Sequence, residues 1–383
     1  MGTAELLASP ASQVPLAQLR LEVRAFLGDE LARGGFVPRC DGWHAGWDER
    51  FTRALADRGW VGMTLPRRYG GSGLSSVHRY VVVEELLAAG APVAAHWAAD
   101  RQMGPSLLRF GTEEQRERFL PRIARGEFFF AIGMSEPDSG SDLASVRTRA
   151  EPTDRGWRLS GTKLWVTGAH RAHALMVLAR TSPADPADRH AGLSQLVVPT
   201  DSPGVGIRPI RSLTGAQHFN ELVFDDVFVP DELVLGTIGE GWTQVTSELA
   251  YERSGPERFL STYPLVEELV ARARADGRHR VLVGEVLARL WTLRQMSLGV
   301  AERLARGDPA DVAAALVKDL GTRFEGEVID AARSVFDLEP DLTSSDPAAR
   351  LLAQAILAAP GFTIRGGTSE ILRGVVARGL GLR

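Results

Sequence analysis

FFFAIGMSEPDSGSD, residues 128–142, is the point where the pattern of the chain changes from helical to extended. Before it, from Pro15 to about Gly126, apolar residues recur three and four positions apart, which predicts amphipathic helices. Thr112, followed three residues later by Gln115, predicts a helix start with a capping box. The apolar run that opens the quoted stretch is short and predicts a strand.

The segment that follows has the composition of β structure. Apolar and β-branched runs bounded by Pro, Gly, Asp or Ser predict strands in GWRLSGTKLWVTG, ALMVLART, LSQLVVPT and ELVFDDVFVP. Near Gly239 long amphipathic helical patterns return and predict a bundle. They are broken at Gly255-Pro256, where the proline predicts either a fresh helix start or a kink. We therefore expect a multidomain α and β protein. Its domains would be an N-terminal α-helical domain (1–127), a middle β-barrel or sandwich (128–238) and a C-terminal four-helix bundle (239–383).

Composition excludes several classes of protein. A net charge of −4 over 383 residues gives no overall attraction to nucleic acid or anionic membrane. No stretch approaches the roughly 18 uncharged apolar residues of a membrane span. The single cysteine, Cys40, excludes an internal disulfide, and the eight histidines lack metal-ligand spacing, so no metal site is expected. The N-terminal segment lacks the features of a signal peptide, so we expect a cytoplasmic location.

Two segments carry residues suited to a ligand. The loop GMSEPDSGSD, residues 133–142, offers hydroxyls and main-chain N–H groups to a molecule with many acceptors, although a plain hydrophilic turn has the same composition. In GTKLWVTGA, Trp165 and Thr167 are two residues apart and are expected on one face of a strand. They suit a planar heterocycle, but a half-buried core tryptophan would look alike.

These two segments are followed by FDDVFVP with LGTIGEGW, which together form a third, and by the closing RGGTSEILRGVVARGLGL as a fourth. The four resemble, in the same order, four motifs of the acyl-CoA dehydrogenase family of flavoproteins. The resemblance covers nearly the whole chain. It implies FAD as cofactor and α,β-dehydrogenation of an acyl-CoA thioester to a trans-2-enoyl-CoA. In that reaction a base removes the pro-R α-proton, and the β-hydrogen leaves as hydride to flavin N5.

The resemblance also implies residue roles. Met134 and Ser135 would contact the pyrimidine side of the flavin, while Trp165 would pack on the ring and Thr167 would lie near its N5 edge. The full set of implied cofactor contacts is Met134, Ser135, Gly140, Ser141, Trp165, Thr167, Thr368 and Glu370. The implied substrate contacts are Ser141, Arg253 and Gly366.

The position of the base separates two groups within this family. Many members carry a glutamate where this chain has Gly366. Others, resembling isovaleryl- and long-chain-type enzymes, carry it on the first long C-terminal helix, eleven residues after a glycine and directly before an arginine. That layout matches Gly241, Glu252 and Arg253 and implies Glu252 as the base. Glu257 is the other candidate base. In a further alternative, Glu252 is a solvated helix residue without a catalytic role.

Two expected motifs are absent. An Arg-x-x-Phe-Gly stretch that reaches the FAD pyrophosphate of a neighbouring subunit is replaced by a segment with Arg278 and Arg280, and residues 336–350 stand in place of a Gln-rich loop. The resemblance implies a homodimer or homotetramer, or a mixed complex, with an electron-transfer flavoprotein as electron acceptor. Alternatives within the fold are an acyl-carrier-protein-linked dehydrogenase, a flavin oxygenase and a non-catalytic subunit of a mixed complex.

Overall fold

The computed structural model describes residues 15–253 and 255–382, without the side chains of residues 249–252. Helices precede and follow a central sheet, as the sequence pattern predicts. The helices are α1 (Leu16–Ala32), α2 (Gly42–Ala45), α3 (Glu49–Ala56), α4 (Ser76–Ala88), α5 (Ala94–Ala98), α6 (Gly104–Phe110), α7 (Glu113–Ala124), α8 (Gly241–Arg253), α9 (Tyr263–Asp276), α10 (Arg280–Arg306), α11 (Asp311–Val335), α12 (Pro347–Phe362) and α13 (Ser369–Gly379). The strands are β1 (Phe130–Gly133), β2 (Arg149–Thr153), β3 (Gly156–Lys163), β4 (Ala174–Arg180), β5 (Leu193–Pro199), β6 (Val205–Ile210), β7 (Phe219–Pro230) and β8 (Val234–Leu235).

The described residues divide into two compact units. The sheet unit comprises residues 48–73 and 94–249 and contains all the strands named above. The helical unit comprises residues 15–47, 74–93 and 250–382. Each unit therefore combines segments that are distant in the sequence.

The sheet unit is built on strands in the order β6-β7-β3-β2-β4-β5-β8, with β1 paired to β4 beside this path. β1 and β2 run parallel to β4, and the other pairs are antiparallel. β4 and β5 are buried at nearly every position, including the polar Ser194 and Gln195 of β5, because both of their faces are covered. One buried cluster joins Leu175 and Val198 of these strands to Leu107 of α6 and Phe119 of α7.

Two predicted boundaries can be compared directly with the structure. The capping box at the start of α7 is confirmed: Thr112 Oγ1 accepts from the Gln115 N–H at 3.2 Å, and the Gln115 side chain accepts from the Thr112 N–H at 3.1 Å. At the Gly255-Pro256 break, α8 ends at Arg253 and a short 3₁₀ turn begins at Pro256. The break is therefore an interruption of the helix and not a kink within it.

The helical unit is centred on α11, which packs against α9, α10, α12 and α13. Its buried face is rich in alanine, including Ala314, Ala315 and Ala332, and small side chains allow the neighbouring helices to approach closely. α4 packs between α1 and α10 and presents Glu84 and Glu85 to arginines on both of these helices.

Removing one of these carboxylates is expected to destabilise the helical unit. Glu84 accepts from Arg20 Nη2 at 2.6 Å and from Arg294 Nε at 2.6 Å, and its own side chain is buried. Glu84→Ala leaves both guanidiniums without this partner, so we expect a loss of about 2 kcal/mol in the free energy of unfolding, measured by urea denaturation. Glu151→Ala, which removes an exposed pair with Arg149, should cost less than about 1 kcal/mol. Equal losses in the two variants would contradict the expectation.

Candidate active site

The loop after β1 is organised around a buried carboxylate. Glu136 has 9% relative exposure, and its carboxylate accepts from the main-chain N–H groups of Arg147 at 2.7 Å and Thr148 at 2.9 Å. Met134 and Ser135 are half-buried, whereas Gly140 and Ser141, also predicted as contact residues, are exposed. The loop is therefore more than a plain hydrophilic turn, because its base is tied into the sheet unit.

Lys163, the last residue of β3, closes the inner side of this loop. Its side chain is fully buried, and its Nζ donates to the Met134 carbonyl at 3.0 Å and to Glu136 Oε1 at 2.9 Å. Burial lowers the pKa of Lys163 to about 8, although the neighbouring Glu136 raises it. The sequence reasoning missed both residues; the available signal was that Lys163 is one of only two lysines in the chain.

Trp165 differs from its prediction. β3 ends at Lys163, so Trp165 and Thr167 do not share a strand face; they lie in the irregular segment that follows. Trp165 has φ +62° and a relative exposure of 56%, which also contradicts a core role. A bulky residue in the left-handed region is strained by about 1–3 kcal/mol and needs support from its surroundings.

That support comes from both neighbours of Trp165. The Leu164 N–H donates to the Ser135 carbonyl at 2.9 Å. The Val166 N–H donates to the Asn220 carbonyl at 3.0 Å, and Asn220 Nδ2 donates back to the Val166 carbonyl at 2.9 Å. The segment thus lies directly beside the glutamate-centred loop, with the Trp165 indole held on the surface of the sheet unit and Thr167 half-buried two residues on.

In the helical unit, the turn Gly366-Gly367 requires glycine geometry and is held by two cations. Both glycines have positive φ, +69° and +96°. Arg253 Nε donates to the Gly366 carbonyl at 3.1 Å, and Lys318 Nζ donates to the Gly367 carbonyl at 2.6 Å. Arg253 and Gly366, predicted separately as substrate contacts, are therefore brought together.

Thr368 and Glu370 form the start of α13. Thr368 is the N-cap, and its Oγ1 accepts from the Ile371 N–H at 3.4 Å. Glu370 lies exposed in the first turn, where hydrogen bonds from its own N–H and from Thr368 lower its carboxyl pKa. Acidic residues at this position also interact favourably with the helix dipole.

The two candidate bases lie on either side of the break that follows α8. Glu252 is the penultimate residue of α8, and its side chain lies outside the described part of the chain. Glu257 lies in the 3₁₀ turn and is 1% exposed, with Arg258 Nε at 3.9 Å from its Oε1. Of the two arginines considered for the pyrophosphate, Arg278 is exposed and pairs with Asp276 at 2.8 Å, and Arg280 is the first residue of α10.

Among the described residues no group of three or more His, Cys, Asp or Glu side chains is placed to hold a metal ion. None of the helices described above combines the length and apolar composition needed to cross a membrane.

Three family models match consecutive parts of the chain. They are the acyl-CoA dehydrogenase N-terminal domain over residues 16–127, the middle domain over residues 131–227 and the C-terminal domain over residues 239–381. Together they cover most of the sequence.

Acyl-CoA dehydrogenases of known sequence or structure are similar to this chain along most of their length. The acyl-CoA dehydrogenase IpdE1 of Mycobacterium tuberculosis is 36% identical over 95% of this chain and 97% of its own. The mitochondrial isovaleryl-CoA dehydrogenase of Solanum tuberosum is 28% identical over 95% of this chain and 88% of its own. The solved structure of the Tcur3481-Tcur3483 steroid ACAD superposes with a TM-score of 0.83 at 29% identity, covering 97% of this chain and 99% of that one. The chain therefore belongs to the acyl-CoA dehydrogenase family and is an oxidoreductase of this family of FAD flavoproteins.

Proposed function

We propose that this protein catalyses the FAD-dependent α,β-dehydrogenation of an acyl-CoA thioester, with Glu252 as the base that removes the α-proton. The observation that carries the proposal is the contact between Arg253 and the Gly366 carbonyl. Members of the family carry their base at one of two sequence positions, which correspond here to 252 and 366. Because Arg253 directly follows Glu252, this contact brings both positions to one place in the helical unit.

The residues present suit the cofactor. In the sheet unit, Trp165 offers an exposed aromatic face next to the Met134-Ser135 main chain. Among the described residues the Ser135 N–H donates no hydrogen bond, so it is available to a polar edge of a ligand. The proposed cofactor contacts are Met134, Ser135, Gly140, Ser141, Trp165 and Thr167 of the sheet unit and Thr368 and Glu370 of the helical unit. When bound, FAD supplies the acceptor for the β-hydrogen as hydride.

The chain's own task is to remove a proton and to position the thioester. Glycine at 366 leaves the space that a glutamate side chain occupies in other members, and the carboxylate at 252 takes its role. Arg253 holds the Gly366 carbonyl, so the main chain of the turn stays fixed against the residue that follows Glu252. The buried pairing of Glu257 with Arg258 makes Glu257 a poorer candidate, because a base must reach the substrate.

The reaction is tested by anaerobic bleaching of the flavin absorbance in the purified protein. The panel contains straight-chain, branched and steroid side-chain acyl-CoA thioesters, the last because a 29% identical solved structure is described as a steroid ACAD. Rapid bleaching by one class would support the reaction and define the substrate. An oxidised flavin with every thioester would contradict it, as would a purified chain that binds no flavin. Turnover with an electron-transfer flavoprotein, compared with oxygen, separates a dehydrogenase from an oxygenase.

A cavity of about 840 Å³ in the sheet unit bears on whether the substrate is a CoA ester or a carrier-protein thioester. Four arginines line it: Arg147, Arg149, Arg180 and Arg189. Arg180 donates to main-chain carbonyls, for example that of Ala144 at 2.8 Å, and is structural. Arg147 and Arg189 are largely exposed and pair with the exposed carboxylates of Asp138 and Asp142, partners that the phosphates of CoA would replace. We therefore propose a CoA ester, rather than a carrier-protein thioester, as substrate.

Neutralising these arginines is expected to weaken CoA binding selectively. Arg147→Gln and Arg189→Gln should each raise KM for the acyl-CoA by about fivefold at low salt, the effect of one exposed charge-assisted contact. KM for the matching N-acetylcysteamine thioester, which lacks phosphates, should stay unchanged. Arg155→Gln, in the exposed turn between β2 and β3, is the matched control. An unchanged KM for acyl-CoA, or a preference for the acyl-carrier protein, would argue against a CoA site here.

The assembly is proposed from related complexes. Solved structures that share this fold include the Tcur3481-Tcur3483 steroid ACAD and the ChsE4-ChsE5 complex from Mycobacterium tuberculosis, each of which is named after two chains. We propose that this chain is likewise oligomeric, either with itself or with a related subunit. Mass photometry together with the molar ratio of FAD to chain distinguishes a self-assembled enzyme from a subunit that needs a partner for full flavin loading.

A further inference from the structure

The chain contains only two lysines among its 44 lysine and arginine residues. Both of them, Lys163 and Lys318, are fully buried. Lysine is a compact cation with three rotatable donors, whereas arginine presents a larger planar group. In a chain whose basic residues are otherwise all arginine, two buried lysines indicate positions where only the compact group fits.

Lys163 lies in a tightly packed space in the sheet unit. Its stem passes the bare main chain of β1, since a Cβ added at Gly133 would lie 3.4 Å from Lys163 Cγ. Its Nζ donates to the Met134 carbonyl and to Glu136. The Met134 carbonyl belongs to the peptide group that carries the Ser135 N–H. Because peptide groups are planar and trans, holding this oxygen also sets the direction of that N–H.

Lys318 makes the equivalent contact in the helical unit. It lies on α11, and its Nζ donates to the Gly367 carbonyl at 2.6 Å. That carbonyl belongs to the peptide group that carries the Thr368 N–H. Gly367 has φ +96° and, as a glycine, carries no side chain that could hold the turn in one direction. The contact from Lys318 supplies that restraint.

The two sites share a further property. Among the described residues, neither the Ser135 N–H nor the Thr368 N–H donates a hydrogen bond, although main-chain donors are normally paired in a folded protein. Ser135 and Thr368 are both among the proposed cofactor contacts. Each lysine thus fixes a peptide whose N–H remains available at a residue assigned to FAD.

We propose that Lys163 and Lys318 are positioning residues for the cofactor: each buried ammonium holds one main-chain carbonyl so that the N–H of Ser135 or Thr368 is presented to FAD. This inference rests on the cofactor contacts in the proposed function. It does not depend on Glu252 or on the identity of the thioester.

The test measures FAD binding to the apoprotein, by quenching of flavin fluorescence, without turnover. Lys163→Met and Lys318→Met should each weaken FAD binding by about tenfold, because one oriented hydrogen bond is lost. They should also shift the visible absorption maxima of the flavin that remains bound. Lys163→Arg and Lys318→Arg should not restore the affinity, since the guanidinium does not fit. Wild-type affinity in both arginine variants would overturn the requirement for lysine.

A double variant separates positioning from simple charge pairing. Lys163→Met alone leaves the buried Glu136 without its cation, so it should lower the thermal midpoint of the apoprotein. Lys163→Met/Glu136→Gln removes that charge and should recover the midpoint while FAD binding stays weak. Recovery of both quantities would overturn the proposal for Lys163, and wild-type affinity in Lys318→Met would overturn it for Lys318. A protein that binds FAD as expected but oxidises no thioester would contradict only the proposed reaction.

Discussion

Glu252→Gln is expected to lower the rate of anaerobic flavin bleaching by an acyl-CoA thioester by about 10³-fold, with FAD content unchanged. Removing a positioned base typically costs 10²- to 10⁴-fold, and glutamine keeps the shape of the side chain while removing its basicity. The measurement is stopped-flow absorbance of the flavin under saturating substrate. Binding of a non-reactive thioether analogue should be retained, because the loss concerns proton transfer and not affinity.

Two comparisons make this result specific. Glu257→Gln should bleach at close to the wild-type rate per folded molecule, with folding checked by circular dichroism. Glu252→Gln/Gly366→Glu moves the carboxylate to the position used by other family members and should recover part of the lost rate. Recovery should be incomplete because Gly366 has φ +69°, which costs a non-glycine residue about 1 kcal/mol. A Glu252→Gln protein that bleaches like wild type would exclude this residue as the base.

The second large effect concerns a buried carboxyl group in the helical unit. Glu325 is fully buried, and burial raises its pKa from 4.5 to about 7, although Arg365 and the hydrogen bonds from Ser261 lower it. In the folded state Glu325 therefore holds its proton between about pH 4.5 and 7, where the unfolded chain has already lost it. The contribution of Glu325 to the free energy of unfolding is fully present below pH 4.5 and is lost as the pH rises through 7. The loss amounts to about 3 kcal/mol.

Glu325→Gln should remove this dependence on pH. Urea denaturation at a series of pH values between 4 and 8 should show a shallower decline for the variant than for wild type, with the variant the more stable protein at pH 8. Glu339→Gln, at an exposed position, should follow the wild-type curve. Asp41 does not titrate in this window: although burial opposes its ionisation, Arg365 and His44 hold its pKa well below the usual range. Parallel wild-type and Glu325→Gln curves would show that Glu325 titrates alike in both states.

The sequence by itself determined the order of helices and strands and the location of the main loops. The start of α7 follows from Thr112 and Gln115, which lie three residues apart and form the capping box with each other. The strands β4 and β5 follow from short, largely apolar runs bounded by Pro, Gly or Ser. The loop at residues 133–142 and the closing glycines follow from composition and from the resemblance to a family. All of these features depend on residues a few positions apart.

Tertiary structure alone decided how these segments are held. Trp165 has φ +62° because Ser135 and Asn220, from two other segments, fix the peptides on either side of it, and no pattern within GTKLWVTGA shows this. Arg253 meets Gly366 across 113 positions, and Lys318 meets Gly367 across 49. Local propensity sets which residues form a helix or a strand. The partners of a buried ammonium or guanidinium are set by which distant carbonyls the packed chain brings within about 3 Å of it, which is the reach of a hydrogen bond.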